Sequence, residues 1–141
     1  MVQLESEVKL RVFATISPTE DKNKVLTAVT HLLGECAFIV EEGAGGLRIA
    51  SEDPGCLRLI HDQLRDRHVR SAARRLMLKQ GRLDNGLRLL FNRQAAFAGV
   101  VSLCSDGLES PLGPIIMEIE SKDPDLLIDW LTPRPEGEPQ E

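Results

Sequence analysis

Residues 7–16 read EVKLRVFATI, an alternating stretch near the start of a chain of 141 residues. Apolar side chains occupy every second position, namely Val8, Leu10, Val12, Ala14 and Ile16. Successive side chains of a β-strand point to opposite faces, so this pattern predicts a strand that buries one face against a core. The opposite face, which carries Lys9 and Arg11, is predicted to be largely polar.

The last predicted strand, Ile115–Glu120, carries charges that match those of the first strand. Opposite charges on neighbouring strands stabilise the pairing by about 0.2–1 kcal/mol. We therefore expect Lys9 and Arg11 to face Glu118 and Glu120. The first and last strands of the chain are predicted to be neighbours in one sheet.

Helical and strand patterns are interspersed between these two strands. Ser17, Pro18 and Glu20 have the spacing of a capping box and predict the start of a helix that ends at Gly34. Its predicted buried stripe is Val25, Ala28, Val29, Leu32 and Leu33. The further predicted elements are strands at 36–42, 47–51, Gly86–Phe91 and 100–104, a helical turn at 94–98, a helix at 68–80, and helices that open at Asp53-Pro54 and Asp123-Pro124.

This order has no regular βαβ rhythm and therefore predicts the α+β class. We expect a two-layer sandwich in which a mixed, largely antiparallel sheet has its helices packed on one face. A single α+β domain is predicted over residues 1–133. The acidic, proline-rich residues 134–141 are predicted to form a disordered tail.

The helix at 68–80 is predicted to have an apolar side and a cationic side. Its predicted core stripe is Val69, Ala72, Ala73, Leu76 and Met77. Arg67, Arg70 and Arg74 recur at helical spacing opposite that stripe, so they are predicted to project together into solvent. Arginine is well suited to phosphate oxygens because its planar fork donates two hydrogen bonds at once.

Positive charge is concentrated in the middle of an acidic protein. Residues 58–93 contain ten basic and three acidic side chains, although the whole chain has a net charge of −5. Such a segment indicates a surface for a polyanion. It is equally typical of a solvated helix face whose arginines pair with acids elsewhere in the fold. The few aromatic residues predict no platform for stacked bases, so contact with the backbone and shape of a nucleic acid is expected.

Composition and spacing argue against several classes of protein. No apolar run approaches the roughly 20 residues of a membrane-spanning helix, and the N-terminus has no signal-peptide pattern. The three cysteines are far apart and odd in number, so they are expected to be unpaired core residues of a protein in a reducing cytoplasm. No histidine or cysteine has metal-ligand spacing and no serine has a nucleophile motif. Neither catalytic residues, nor a metal, nor a cofactor is expected.

Three stretches taken together carry a family resemblance. They are SPTED at 17–21 leading to KVL at 24–26, LFNRQAAFAG at 90–99, and SPLGPI at 110–115 followed by IDWL at 128–131. In order and spacing they resemble a small archaeal family of predicted RNA-binding proteins of unknown function. The resemblance implies a fold like that of the ribosomal large-subunit protein that binds five-S RNA, and an archaeal cytoplasm. It favours RNA over other polyanions and supplies no catalytic residues.

We therefore predict a non-enzymatic RNA-binding domain that contacts structured RNA through the arginine-rich helix and the adjoining strand, in RNA processing or ribosome-related assembly. The predicted contacts are Arg67, Arg70, Arg74, Arg75, Lys79, Arg82, Arg88, Asn92, Arg93 and Gln94. One alternative is a protein-interaction adaptor whose basic patch binds an acidic partner, such as a protein of an RNA-processing or ribosomal complex. Another is an enzyme that acts on a phosphorylated small molecule.

Overall fold

The computed structural model describes residues 9–43, 45–65, 67–105 and 113–133, and the predicted tail at 134–141 lies outside these ranges. The strands are β1 (Lys9–Thr15), β2 (Ile39–Gly43), β3 (Gly46–Ser51), β4 (Arg82–Leu83), β5 (Gly86–Phe91) and β6 (Ile115–Glu120). The helices are α1 (Lys22–Leu33), α2 (Arg58–Gln63), α3 (Arg67–Leu76), α4 (Arg93–Phe97) and α5 (Pro124–Leu131). A 3-10 turn, Pro54–Leu57, leads into α2, and a π-helical turn, Met77–Gly81, continues α3.

The six strands form one sheet in the order β2-β3-β1-β6-β5-β4, and all of its described pairings are antiparallel. The predicted neighbours β1 and β6 are paired, with Lys9 opposite Glu120 and Arg11 opposite Glu118. The guanidinium of Arg11 lies 3.8 Å from the carboxylate of Glu118. The prediction made from opposite charges is therefore confirmed.

One face of this sheet is buried beneath the helices, and none of the described helices covers the other, open face. Leu10, Val12 and Ala14 of β1 are at most 2% exposed. They share a core with side chains from three other strands and from the helix layer, including Leu47, Ile49, Leu87, Leu89, Phe91, Met117, Leu32, Ile60 and Leu127. The α+β class and the two-layer arrangement are confirmed. Among the residues described, none of the helices has the length and apolar character that a membrane span requires.

The capping-box contact of the first helix forms, but α1 begins one turn later than predicted. A carboxylate oxygen of Glu20 accepts a hydrogen bond from the Ser17 N–H at 2.9 Å, as the spacing predicts. Asp21 then caps the helix by accepting from the Asn23 N–H at 2.9 Å. The predicted apolar stripe of α1 is buried, and Gly34 ends the helix with a φ of 68°.

The strand predicted at 100–104 is wrong. Only an isolated bridge joins Leu103 to Phe91 at the end of β5. The physical reason lies in Gln63, whose side chain accepts from the Val101 N–H at 2.7 Å and donates to the Gly99 carbonyl at 3.0 Å. A side chain from the helix layer therefore satisfies backbone groups that a strand would offer to the sheet.

The prediction that all three cysteines are unpaired is also wrong. Cys36 and Cys56 form a disulfide, whereas Cys104 is a buried thiol outside it. The hairpin of β2 and β3 brings the segment before β2 back onto the 3-10 turn, where Asp53 accepts from the Ala37 N–H at 3.1 Å. This hydrogen bond and one from the Gly55 N–H lower the pKa of the Asp53 carboxyl. A reducing compartment was expected because the cysteines were predicted to be unpaired, and the disulfide removes that basis.

Candidate nucleic-acid interface

The central basic segment is much less positive in three dimensions than it is in sequence. Half of its ten cations lie within 4 Å of an acidic side chain. The pairs are Arg58–Asp62, Arg74–Asp129, Arg82–Asp125, Arg88–Glu118 and Arg93–Glu20. The structure thus supports, for four of these arginines, the interpretation that acids elsewhere in the fold neutralise them, whereas Arg58 pairs with an acid of the same segment.

Arg93 is buried, so the exposure assumed for it as an RNA contact is wrong. Its side chain is 5% exposed and lies 2.9 Å from Glu20. The same guanidinium donates to the backbone carbonyls of Thr15 at 2.6 Å and Gly113 at 3.1 Å. The Arg93 guanidinium therefore links the end of β1, the turn before α1 and the segment that leads into β6. Because it is buried in these contacts, it is not available to bind a phosphate.

The two polar neighbours of Arg93 have different environments. Asn92 is half-buried, and its side-chain oxygen caps α4 by accepting from the Ala95 N–H at 2.9 Å. The side-chain oxygen of Asn92 therefore has a structural use, and contact of Asn92 with RNA stays a prediction. Gln94 is exposed, as predicted for a contact residue.

Helix α3 is rotated relative to its predicted orientation. Val69 is 42% exposed and Ala72 is exposed, whereas Ala73 and Met77 are buried. Arg70 is half-buried, and Arg74 retains only 15% of its side-chain exposure. The prediction that Arg70 and Arg74 project freely into solvent is therefore wrong.

The cause of this rotation is a set of partners on α5 that helical periodicity alone does not reveal. Arg74 donates to the Thr132 carbonyl at 2.8 Å and pairs with the Asp129 carboxylate at 2.7 Å. Long arginine stems can cover apolar surface while the charged head reaches a polar group. Arg74 therefore faces α5, on the side of α3 that the hydrophobic pattern had predicted to be formed by apolar residues such as Val69.

We expect Arg74→Ala to lower the free energy of unfolding by about 1–3 kcal/mol, because it removes a charged donor and leaves a carbonyl unsatisfied. Arg75→Ala is the matched control, since Arg75 is the exposed next residue and its loss is expected to cost no more than about 0.5 kcal/mol. Urea unfolding of both variants measures the difference. Equal midpoints would show that the contact of Arg74 with α5 contributes nothing.

One group of exposed cations lies on the outer side of α3 and its π-helical extension, and Arg65, between α2 and α3, is exposed as well. Arg75 and Lys79 are both exposed, and no described acidic residue forms an ion pair with either of them. We call these two residues the outer cation pair. They are four positions apart and therefore lie on the same side of the helix, as does the exposed Ser71. Position 67 begins the same row, although the side chain of Arg67 lies outside the described part of the structure.

A second group of cations lies on the open face of the sheet. Arg11, Arg48 and Arg88 come from three different strands and line one depression together with Phe13, and the guanidinium of Arg48 lies 5.9 Å from the centre of the Phe13 ring. We call these four residues the sheet-face cluster. The sequence pattern did not reveal this cluster, because Arg11 and Arg48 lie outside the basic segment. The alternation of β1 places Arg11 and Phe13 on one face, but only the strand order brings Arg48 and Arg88 beside them.

Arg88 therefore does not extend the helix surface, as the prediction of one helix-and-strand patch had assumed. Its neighbours Leu87 and Leu89 point into the core beneath the helices, so the side chain of Arg88 lies on the opposite face of the sheet. Arg82 is half-exposed at the edge of the sheet and pairs with Asp125 at 3.0 Å. The predicted contacts thus divide between two surfaces of the molecule.

His31 and His61, the two histidines whose side chains are described, have structural contacts. His31 lies at hydrogen-bond distance from the Ala96 and Phe97 carbonyls, at 3.1 and 3.0 Å, and links α1 to the end of α4. His61 stacks on Trp130 with ring centres 4.2 Å apart and hydrogen-bonds Asp62, which lowers the pKa of the Asp62 carboxyl. Within the described ranges, no group of three or more potential ligands gathers at a metal-binding distance.

The fold and these surfaces define a two-layer α+β protein with an exposed cationic helix and an open antiparallel sheet. The model of a protein family described as RNA binding matches residues 7–121. The chain belongs to this family.

The similar proteins come from archaea and support the family assignment. A UPF0201 protein of Sulfurisphaera tokodaii is 40% identical over 129 residues, which cover 89% of this chain and 88% of the relative. One from Metallosphaera sedula is 35% identical and covers 89% and 88%. The crystal structure of a UPF0201 protein from Methanococcus jannaschii is 25% identical, covers 92% of this chain and 96% of the other, and has a TM-score of 0.73. The predicted archaeal family is therefore confirmed, whereas the likeness to the ribosomal protein stays a prediction.

Proposed function

We propose that this protein binds structured RNA through the outer side of α3 and acts as a binding protein rather than an enzyme. The observation that carries the proposal is the outer cation pair, Arg75 and Lys79, which stays exposed while half of the cations in the same segment are paired with acids. The description of the family as RNA binding supports the choice of polyanion.

The spacing along α3 suits the backbone of an RNA helix. Positions 67, 71 and 75 of α3 recur every four residues, and an α-helix rises 1.5 Å per residue, so this row extends over about 12 Å, with Lys79 beyond it in the π-helical extension. Arginine and lysine contacts to phosphates supply affinity and orientation but read no bases. We therefore expect binding that depends on RNA structure and salt and discriminates little between sequences.

The double variant Arg75→Gln/Lys79→Gln is expected to bind a stem–loop RNA more weakly than the parent at low salt. Each phosphate contact that is lost should flatten the log–log dependence of affinity on salt by about one unit, so the change should approach two units. Fluorescence anisotropy with a labelled stem–loop at several salt concentrations measures both quantities. Circular dichroism verifies that the variant is folded.

The control for net charge is Lys22→Gln/Lys24→Gln, which removes two cations from exposed positions of α1, of which Lys22 is paired with Glu42 and Lys24 with no described acid. It should leave the salt dependence close to that of the parent. If both double variants behave alike, the effect is one of net charge and not of a surface on α3. If the parent does not bind the stem–loop even at low salt, the proposal fails and the adaptor with an acidic protein partner becomes the better interpretation.

A further inference from the structure

We infer that the open face of the sheet is a second nucleic-acid site, which takes unpaired nucleotides of a single-stranded RNA segment at the sheet-face cluster. This inference rests on the proposed RNA binding, but it concerns the layer opposite α3. It also revises the expectation that no aromatic residue is available for a stacked base. Three features of this face support the inference, namely a depression, the aromatic ring of Phe13 and the arginines that line the depression.

The face has a depression of a size that suits a small ligand. Its volume is about 690 Å³, within the range of roughly 300–1,000 Å³ that is typical of ligand sites. Phe13, Ala50 and Ile116 contribute apolar floor, and arginines stand around it. The floor is continuous across β3, β1 and β6, since Phe13 lies opposite Arg48 on one side and Ile116 on the other.

Phe13 and Arg48 provide planar groups on which a base can stack. Phe13 is half-buried in the middle of the sheet, which holds its ring in place, and Arg48 lies over that ring. Unpaired bases stack on aromatic rings and also on arginine guanidinium planes. A base at this position would therefore stack either on the Arg48 guanidinium plane or, after displacing it, on the Phe13 ring.

Arg11 and Arg88 can supply phosphate contacts beside that base, because both flank Glu118 in the cross-strand row next to that of Phe13. Both lie 3.8 Å from the same carboxylate of Glu118, so one acid is shared by two cations. Their side chains are 70% and 50% exposed, and ion pairs with that exposure contribute little stability. Phosphate oxygens can replace the Glu118 carboxylate with little loss of stability. They can then accept two parallel hydrogen bonds from each guanidinium group.

The charges of this face favour RNA over a second copy of the chain. Sheet-on-sheet packing would bury Arg11, Arg48, Arg88 and the acids Glu41 and Glu118 that line the same depression. Buried charges are costly unless each is well paired, and the cores of protein interfaces are depleted in charged residues. A single-stranded nucleic acid leaves these side chains partly solvated and offers phosphates to three arginines.

The test is binding of an unstructured ten-nucleotide oligouridylate, measured by fluorescence anisotropy. Phe13→Leu keeps an apolar side chain but removes the ring, and it should weaken binding about tenfold, within the roughly 5- to 100-fold that a stacked base is worth. Phe97→Leu is the matched control, because Phe97 is 44% exposed on α4 and belongs to neither surface. It should leave the affinity unchanged.

A second variant covers the case in which Phe13→Leu does not fold. Arg48→Gln removes the cation at an exposed position and should weaken oligouridylate binding about two- to fivefold. Unchanged affinity in both variants would overturn the inference, as would a parent that does not bind the oligonucleotide. It would also be overturned if sedimentation shows a dimer of the parent that Arg48→Gln dissociates.

The same variants separate this inference from the proposed function. Phe13→Leu should leave binding of the stem–loop RNA unchanged, whereas Arg75→Gln/Lys79→Gln should leave binding of oligouridylate largely intact. If only the outer cation pair affects either RNA, the site on the sheet fails while the surface on α3 stands. If only the sheet-face cluster affects binding, the opposite conclusion follows.

Discussion

Replacing Glu20 with alanine is expected to lower the free energy of unfolding by about 3–5 kcal/mol, the usual cost of removing one partner of a buried ion pair. The side chains of Glu20 and Arg93 are only 11% and 5% exposed, so the guanidinium left behind would be an uncompensated charge. The variant would also remove the acceptor of the Ser17 N–H. Urea unfolding followed by circular dichroism measures the loss.

The control for this prediction is an ion pair of the same type at the surface. Glu42 lies 2.8 Å from Lys22, but both side chains are more than half exposed. Glu42→Ala should therefore cost no more than about 1 kcal/mol. A loss below that value for Glu20→Ala would show that Arg93 is held by its backbone acceptors alone.

Breaking the disulfide should cost about 3 kcal/mol of stability. The two cysteines are 20 positions apart, and closing a loop of that length removes about this much conformational free energy from the unfolded chain. Cys36→Ala is the preferred variant because Cys56 is fully buried and its replacement would also disturb the core. With the denaturant sensitivity usual for small proteins, the urea midpoint should fall by about 1–3 M.

A phosphine reductant provides the internal comparison for this prediction. Reduced parent protein should unfold at about the same urea concentration as Cys36→Ala, and the reductant should not change the midpoint of that variant. An unchanged midpoint for the reduced parent would mean that the contacts of Asp53 and Ser51 with the Ala37 backbone hold this corner without the covalent link.

The sheet was predictable where the sequence pattern was local and the charges were complementary. The alternation of β1 predicted its buried face, and Arg11 and Glu118 predicted that β1 and β6 are neighbours. The stripe of α1 was equally clear, since five apolar residues at helical spacing face the core. In each case one element carries enough information to decide which side is buried.

The site was less predictable, because the orientation of α3 depends on another element. Val69 and Leu76 were assigned to the core by their hydrophobicity, but Arg74 finds partners on α5 and turns the helix. Arg93 was assigned to RNA by its charge, although a buried acid 73 positions earlier takes that charge. Arginines can be structural or functional, and only their partners in space distinguish the two roles.

The strand order also determines when the sheet can be completed. Residues 9–51 build β2-β3-β1 and residues 82–120 build β6-β5-β4, so each half is contiguous in the chain and a single seam between β1 and β6 joins them. At this seam residue 9 lies opposite residue 120. Pairings between such distant positions form slowly, and an unpaired strand edge attracts other chains until they do. During synthesis, the edge of β1 that pairs with β6 therefore stays unpaired until β6 has left the ribosome.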